Sequence, residues 1–141
     1  MKRISVLALS LSLWGWGYEV AIAAQPSLGS SFREWCLQRT DLSASSRKTV
    51  EVLLKKAGTS NCSQADEILS SLTELNLNFN QITDVSPLSS LSNLTELNLG
   101  GNQITDVSPL SGLTNLTELE LKNNPIAQPT CPVSPSNVCF F

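Results

Sequence analysis

The sequence predicts an α/β solenoid: a short right-handed coil with a parallel sheet on its concave face, a helical cap at the N-terminal end and a disulfide-closed cap at the C-terminal end. Three observations predict it. Residues 72–126 repeat with a period of 22: LTELNLNFNQITDVSPLSSLSN (Leu72 to Asn93), LTELNLGGNQITDVSPLSGLTN (Leu94 to Asn115), then the shortened LTELELKNNPI (Leu116 to Ile126). Each copy opens on a polar–apolar alternation, Glu-Leu-x-Leu, the pattern of a short strand with one buried face. Four cysteines flank the repeats in pairs, Cys36 and Cys62 before them and Cys131 and Cys139 after.

Residues 1–24 read as a secretory signal peptide. Lys2-Arg3 supplies the basic start, Ile4 to Trp16 the apolar run and Ala21-Ile22-Ala23 the small-residue cleavage site. The run is interrupted by glycines and Glu19 and falls short of the ~20 residues of a spanning helix. Cleavage is therefore expected, and no membrane span after it. The remaining chain carries seven basic and eleven acidic side chains, a net charge of −4. Residues 33–56 hold six basic and three acidic side chains, while residues 66–122 set Lys122 alone against eight carboxylates. No basic face runs along the repeats, so nucleic-acid binding is excluded as an expectation.

Residues 25–71 are expected to form a helical N-terminal cap. Ser31-Phe32-Arg33-Glu34 has the form of a capping box opening a short helix with Phe32, Trp35 and Leu37. A second helix is expected from about Ser46 to Ala57, with Val50, Leu53, Leu54 and Ala57 on one stripe and Gly58 ending it. Ser63 with Asp66 predicts one further helical turn carrying Ile68 and Leu69.

In the repeats, residues 72–126, Leu75 and Leu77 and their equivalents face inward from the strand. Ile82 and Val85 re-enter the core on the far side. Ser86-Pro87 predicts a short helical or 3₁₀ turn, with Ser as N-cap and Pro at the first position, and Leu88 and Leu91 facing inward from it. Asn80, Asn102 and Asn124 recur at the strand's end. Their amides are expected to form a ladder satisfying the backbone of the turn and of the next coil. No coil buries its apolar face alone; stacking makes the core continuous.

Residues 127–141 are expected to form the C-terminal cap. Pro125, Pro129, Pro132 and Pro135 exclude regular helix or central strand there, and Val138, Phe140 or Phe141 would cover the last coil. An even cysteine count in a short exported chain predicts two disulfides. Of three pairings, Cys36–Cys62 with Cys131–Cys139 is favoured, because a solenoid keeps its ends apart. With no His and no CxxC pair, no metal site is expected.

The spacing LxxLxLxxNxI is the leucine-rich-repeat signature. With its connector Asn80, Ile82, Asp84, Pro87, Leu88, repeated as Asn102, Ile104, Asp106, Pro109, Leu110, it resembles the 22-residue bacterial repeat of the internalin type. The resemblance covers residues 66–126; the flanking cysteine segments resemble those of short exported bacterial proteins of this class. It implies a protein that binds other proteins on its concave sheet face. Far fewer repeats than the adhesins have, and no wall-sorting tail, keep cell adhesion from being carried over.

The side chains beside the inward leucines point to that face: Glu74, Asn76, Asn78; Glu96, Asn98, Gly100; Glu118, Glu120, Lys122; with Phe79 just beyond. Glu74, Glu96 and Glu118 would form a column at the ~4.8 Å strand spacing. It reads as a surface for a Lys/Arg-bearing partner, as a Ca²⁺ site, or as surface residues copied with the repeat. Carboxylates about 5 Å apart match a retaining glycosidase, but a flat three-strand ledge has no pocket and no water exclusion, so no catalysis and no cofactor is expected. The function expected is a non-catalytic interaction module for an as yet unidentified protein, secreted or held in the periplasm or cell envelope. The alternative is a structural or self-associating envelope protein.

Overall fold

The computed structural model describes residues 31–141. The predicted signal peptide, residues 1–24, lies outside the described residues, as does the start of the N-terminal cap. Among the described residues no helix is long and apolar enough to cross a membrane.

Three helices come first: α1 Phe32–Leu37, α2 Ala44–Ala57 and α3 Cys62–Ser71. Helix α1 opens on Ser31, whose Oγ accepts the Glu34 N–H. Phe32, Trp35 and Cys36 are buried, but Leu37, named with Phe32 and Trp35 for this helix, is 58% exposed. At roughly 100° per residue it stands far round the helix from Phe32, whereas Cys36 falls on the inner face. Helix α2 starts earlier than Ser46 because Ser43 is the cap, its Oγ accepting the Ser46 N–H. It ends at Gly58, whose left-handed φ of 69° lets its N–H return to Leu54 O and Lys55 O. Helix α3 has ten residues rather than one turn, because Asn61 caps it ahead of Ser63, Oδ1 accepting the Gln64 N–H. The Cys36–Cys62 disulfide ties α1 to α3, and Arg33 donates to Ser63 Oγ from Nε and to Asp66 Oδ1 from its backbone.

The repeats then stack. Strands β1 Glu74–Asn76, β2 Glu96–Asn98, β3 Glu118–Glu120 and β4 Cys139–Phe140 form one parallel sheet in that order. The first connections return through 3₁₀ turns at Ser86–Leu88 and Ser108–Leu110. Ser86 is the first residue of its turn rather than the cap. The capping acceptor is Asp84 Oδ1, two residues upstream, which takes the Ser86 N–H; Asp106 does the same for Ser108. Leu75, Leu77, Ile82, Val85, Leu88 and Leu91 of one coil lie buried against Leu97, Leu99, Ile104, Val107, Leu110 and Leu113 of the next. Each fully buried leucine contributes about 1.5–3 kcal/mol relative to exposure.

Coils are also tied by side chains that the leucine pattern does not reveal. Thr95 Oγ1 donates to Thr73 O and Thr117 Oγ1 to Thr95 O. On the other side Asn93 Nδ2 donates to Ser70 O and Asn115 Nδ2 to Ser92 O. The first coil is fastened to α2 through Asp84: Ser46 Oγ donates to its carboxylate, and Thr49 Oγ1 to its backbone carbonyl at 2.6 Å. Burial pushes the Asp84 carboxyl up, but hydrogen bonds from Ser46 Oγ, Ser86 Oγ and the Ser86 N–H together outweigh it and hold its pKa below the ordinary aspartate value.

The C-terminal segment adds more than a lid. Despite its prolines it supplies β4, which pairs with β3 by Leu119↔Cys139 and Glu120↔Phe140, so the sheet has four strands where three were expected. The Cys131–Cys139 disulfide closes the loop that leads into it. Of the three side chains expected as alternatives to cover the last coil, Val138 is buried, together with Val133, whereas Phe140 and Phe141 are 43% and 40% exposed. The 3₁₀ turn Ser136–Val138 brings Val138 inward.

Candidate functional site: the concave sheet face

The strand residues alternate between core and solvent. Leu75, Leu97 and Leu119 point inward, and their neighbours point out onto one face. The pairing sets Glu74 beside Glu96 beside Glu118, and Asn76 beside Asn98 beside Glu120. Among the described residues the sole salt bridge joins Lys122 Nζ to Glu120 Oε2, at 3.3 Å. Lys122 also sits 5.8 Å from the centre of the Phe140 ring. It is thus engaged at the β3–β4 end, and the column Glu74–Glu96–Glu118 has no cation against it.

The face is not the flat ledge expected. Curvature of the coil makes a shallow hollow of about 340 Å³ lined by Glu74, Leu75, Asn76, Glu96, Leu97, Asn98 and Glu118. A second hollow of about 260 Å³ adjoins it through Asn98 and is walled by Phe79, Gly100, Gly101 and Lys122 among others. Both are open to solvent. The lining offers carboxylates, amides and leucines. No group of three or more His, Cys, Asp or Glu among the described residues is placed to hold a metal ion.

The candidate residues do different jobs. Asn76 Oδ1 accepts the Asn78 N–H, Asn98 Oδ1 the Gly100 N–H and Glu120 Oε1 the Lys122 N–H, so these three close the turn after their own strand. Glu74, Glu96 and Glu118 are exposed, with no such local role. Phe79 is 75% exposed at a positive φ of 53°; the same position is Gly101 (φ 67°) and Asn123 (φ 60°) in the next two copies.

The asparagine ladder runs backward. Asn102 Oδ1 accepts the N–H groups of Asn80 and Ile82, and its Nδ2 donates to Leu77 O and Leu99 O. Asn124 serves Ile104 N–H, Leu99 O and Leu121 O in the same way. Each amide therefore holds its own turn and the preceding coil, not the next one. Asn80 has no strand before it and donates only to Asn78 O, within its own turn.

The basic cap is less available than its sequence suggests. Arg47 donates to the carbonyls of Arg39, Thr40 and Leu42 and holds the α1–α2 loop. Arg39 lies against the Cys36–Cys62 disulfide, and Arg33 is bonded to α3. Lys48, Lys55 and Lys56, all exposed on α2, carry the remaining positive charge.

With this geometry in place, known proteins can be compared. The family model described as Leucine Rich repeats (2 copies) matches residues 70–111 and again 92–130. Among solved structures, internalin C2 from Listeria monocytogenes is similar at 34% identity, over 52% of this chain and 42% of that one, with a TM-score of 0.41. The chain spans less than half the length of that internalin. No curated protein matches. Residues 70–130 are leucine-rich repeats. By their 22-residue period and Asn-x-Ile-x-Asp-x-x-Pro-Leu connector these repeats resemble the internalin type.

Proposed function

We propose that this chain is an exported, non-catalytic protein-interaction module whose concave sheet face takes a Lys/Arg-bearing surface of another protein. Leucine-rich repeats build extended concave binding surfaces, which supports the general reading. Two disulfides and the leader-like residues 1–24 favour an oxidising compartment outside the cytoplasm. The observation that carries the partner's charge is the in-register column Glu74–Glu96–Glu118, exposed, unpaired with any cation and set in a hollow.

The test is affinity capture from the cell-envelope fraction with the disulfide-bonded protein and with a variant carrying Glu74→Lys, Glu96→Lys and Glu118→Lys. A basic protein retained by the first and lost from the second is expected, with retention falling as salt rises. Equal capture by both overturns the assignment. A second reading, end-to-end self-association, has one observation in its favour: β4 ends the sheet, and Phe140 and Phe141 stand exposed beside it. Sedimentation that grows with concentration supports that reading, and a clean monomer removes it.

A further inference from the structure

Phe79 is out of place as a structural residue. Its turn position needs a left-handed backbone, which glycine and asparagine adopt readily and a bulky aromatic does not. Gly101 and Asn123 fill the equivalent positions, so the repeat pattern itself supplies cheaper choices. Nor is the ring hidden, since Phe79 is 75% exposed. It lies flat against the next coil: a Cβ built on Gly101 would stand 2.3 Å from Phe79 Cε1. Any side chain at 101 would displace the ring, so the pair Phe79/Gly101 works as one unit, an aromatic plate over a bare backbone. Beside it the Gly100–Gly101 hollow is walled on its far side by Lys122 and joins the glutamate hollow through Asn98.

We propose that Phe79 is the apolar anchor of the concave face, and that the partner segment it fits is an extended chain bearing a Lys or Arg and, four residues away on the same face, an aromatic or large aliphatic side chain. This rests on the basic-partner reading above and sharpens it. The spacing follows from the strand. Glu74 and Phe79 are five residues apart in sequence, at most about 16 Å at ~3.3 Å per residue, and the side chains of an extended partner that share one face within that span are four residues, about 13 Å, apart. A segment lying along the strand places its cation on the glutamate column while its apolar side chain reaches the plate. Charge chooses the orientation: the cation is drawn to the unpaired glutamate column, whereas Glu120, the carboxylate beside the other hollow, is already paired with Lys122.

Two capped pentapeptides serve as probes, Lys-Gly-Ser-Gly-Trp and the same peptide ending in Ser, titrated into the ¹⁵N-labelled, disulfide-bonded protein. The Trp peptide is expected to shift the amides of Glu96 and of Gly100 and Gly101, the Ser peptide those of Glu96 alone. The Trp peptide should bind about tenfold tighter, the factor equal to about 1.4 kcal/mol. Phe79→Asn, which suits the left-handed turn, should bring the Trp peptide down to the Ser peptide while leaving the urea midpoint unchanged or raised. Equal affinity of the two peptides, or an unaltered Trp peptide on Phe79→Asn, overturns the anchor and leaves the basic-partner reading standing. No shift at Glu74, Glu96 or Glu118 from either peptide overturns that reading too. A lowered midpoint for Phe79→Asn assigns the ring to packing over Gly101 and overturns the proposal. So does concentration-dependent broadening at residues 78–80 without peptide, which would mean a second copy sits there.

Discussion

Three asparagines that look identical in the repeat carry unequal weight, and the inequality can be measured. Asn102 is 4% exposed and satisfies two backbone N–H groups and two carbonyls of two coils. Replacing it by alanine strands buried groups, each costing about 1–3 kcal/mol. Asn80 makes a single bond within its turn, worth about 0.5–1.5 kcal/mol net. We expect Asn102→Ala to lower stability by at least ~2 kcal/mol and Asn80→Ala by no more than ~1.5 kcal/mol, read as urea midpoints at constant slope. Equal shifts would show that both amides serve a single turn. The period marks Asn80, Asn102 and Asn124 as one set. What it does not carry is the direction of the ladder, because a repeat read as text has no near and far coil. Only stacking shows that Oδ1 of one copy meets Ile82 N–H of the copy before. The exposed partners read differently again. Asn98 looks like free surface in the alternation, yet its amide closes the turn onto Gly100.

The junction between α2 and the first coil shows how an element's sequence can hide its function. Val50 and Leu53 announce an apolar stripe, and the stripe continues N-terminally as Ser46 and Thr49 at the same i, i+3, i+4, i+7 spacing, both buried. Their hydroxyls end on Asp84. The spacing was a readable signal; the polar letters concealed it, since a hydroxyl in a stripe is silent until its acceptor is known. The fourth strand was not readable at all. A two-residue strand inside a proline-rich loop has no period, and it exists because the disulfide and the open edge of β3 hold it there. Asp84 also makes this junction sensitive to acid. Its folded pKa lies below the ordinary aspartate value, so the fold favours the charged form. The stability it contributes is present in full above the unfolded value, near pH 4, and is lost as pH falls through the lower folded value. Asp84→Asn should therefore show a lower urea midpoint than the parent at pH 7, with the gap narrowing at about pH 2.5. Asp106, capping Ser108 from an exposed position with no helix against it, should show a smaller gap under the same measurement. A gap for Asp84→Asn that stays constant with pH would assign its role to shape rather than charge.

At the scale of the molecule, size limits what the concave face can do. Four parallel strands at ~4.8 Å spacing span about 14 Å, and strands of two or three residues, together with the two residues that follow each, add about 15 Å at ~3.3 Å per residue. That is on the order of 200 Å², against ~800 Å² per partner in a standard stable interface. Charge is divided too, with the acidic column on the sheet and Lys48, Lys55 and Lys56 on α2. A partner held by the sheet alone should therefore bind weakly, with a dissociation constant above ~1 μM, and should lose affinity as salt rises. Tighter binding requires several copies, or a partner whose acidic surface also meets α2. The probe for the second case must spare Arg47, because its three hydrogen bonds to the α1–α2 loop mean that charge reversal there would loosen the cap. Lys48→Glu, Lys55→Glu and Lys56→Glu change charge on an exposed face, where substitutions usually move stability by no more than ~0.5 kcal/mol. We expect this triple variant to weaken any submicromolar complex of the monomer, and Glu96→Lys to weaken it only modestly. Submicromolar binding by the monomer that survives the lysine reversals and vanishes with Glu96→Lys would show that the small face suffices, and that contact area is the wrong measure of this site.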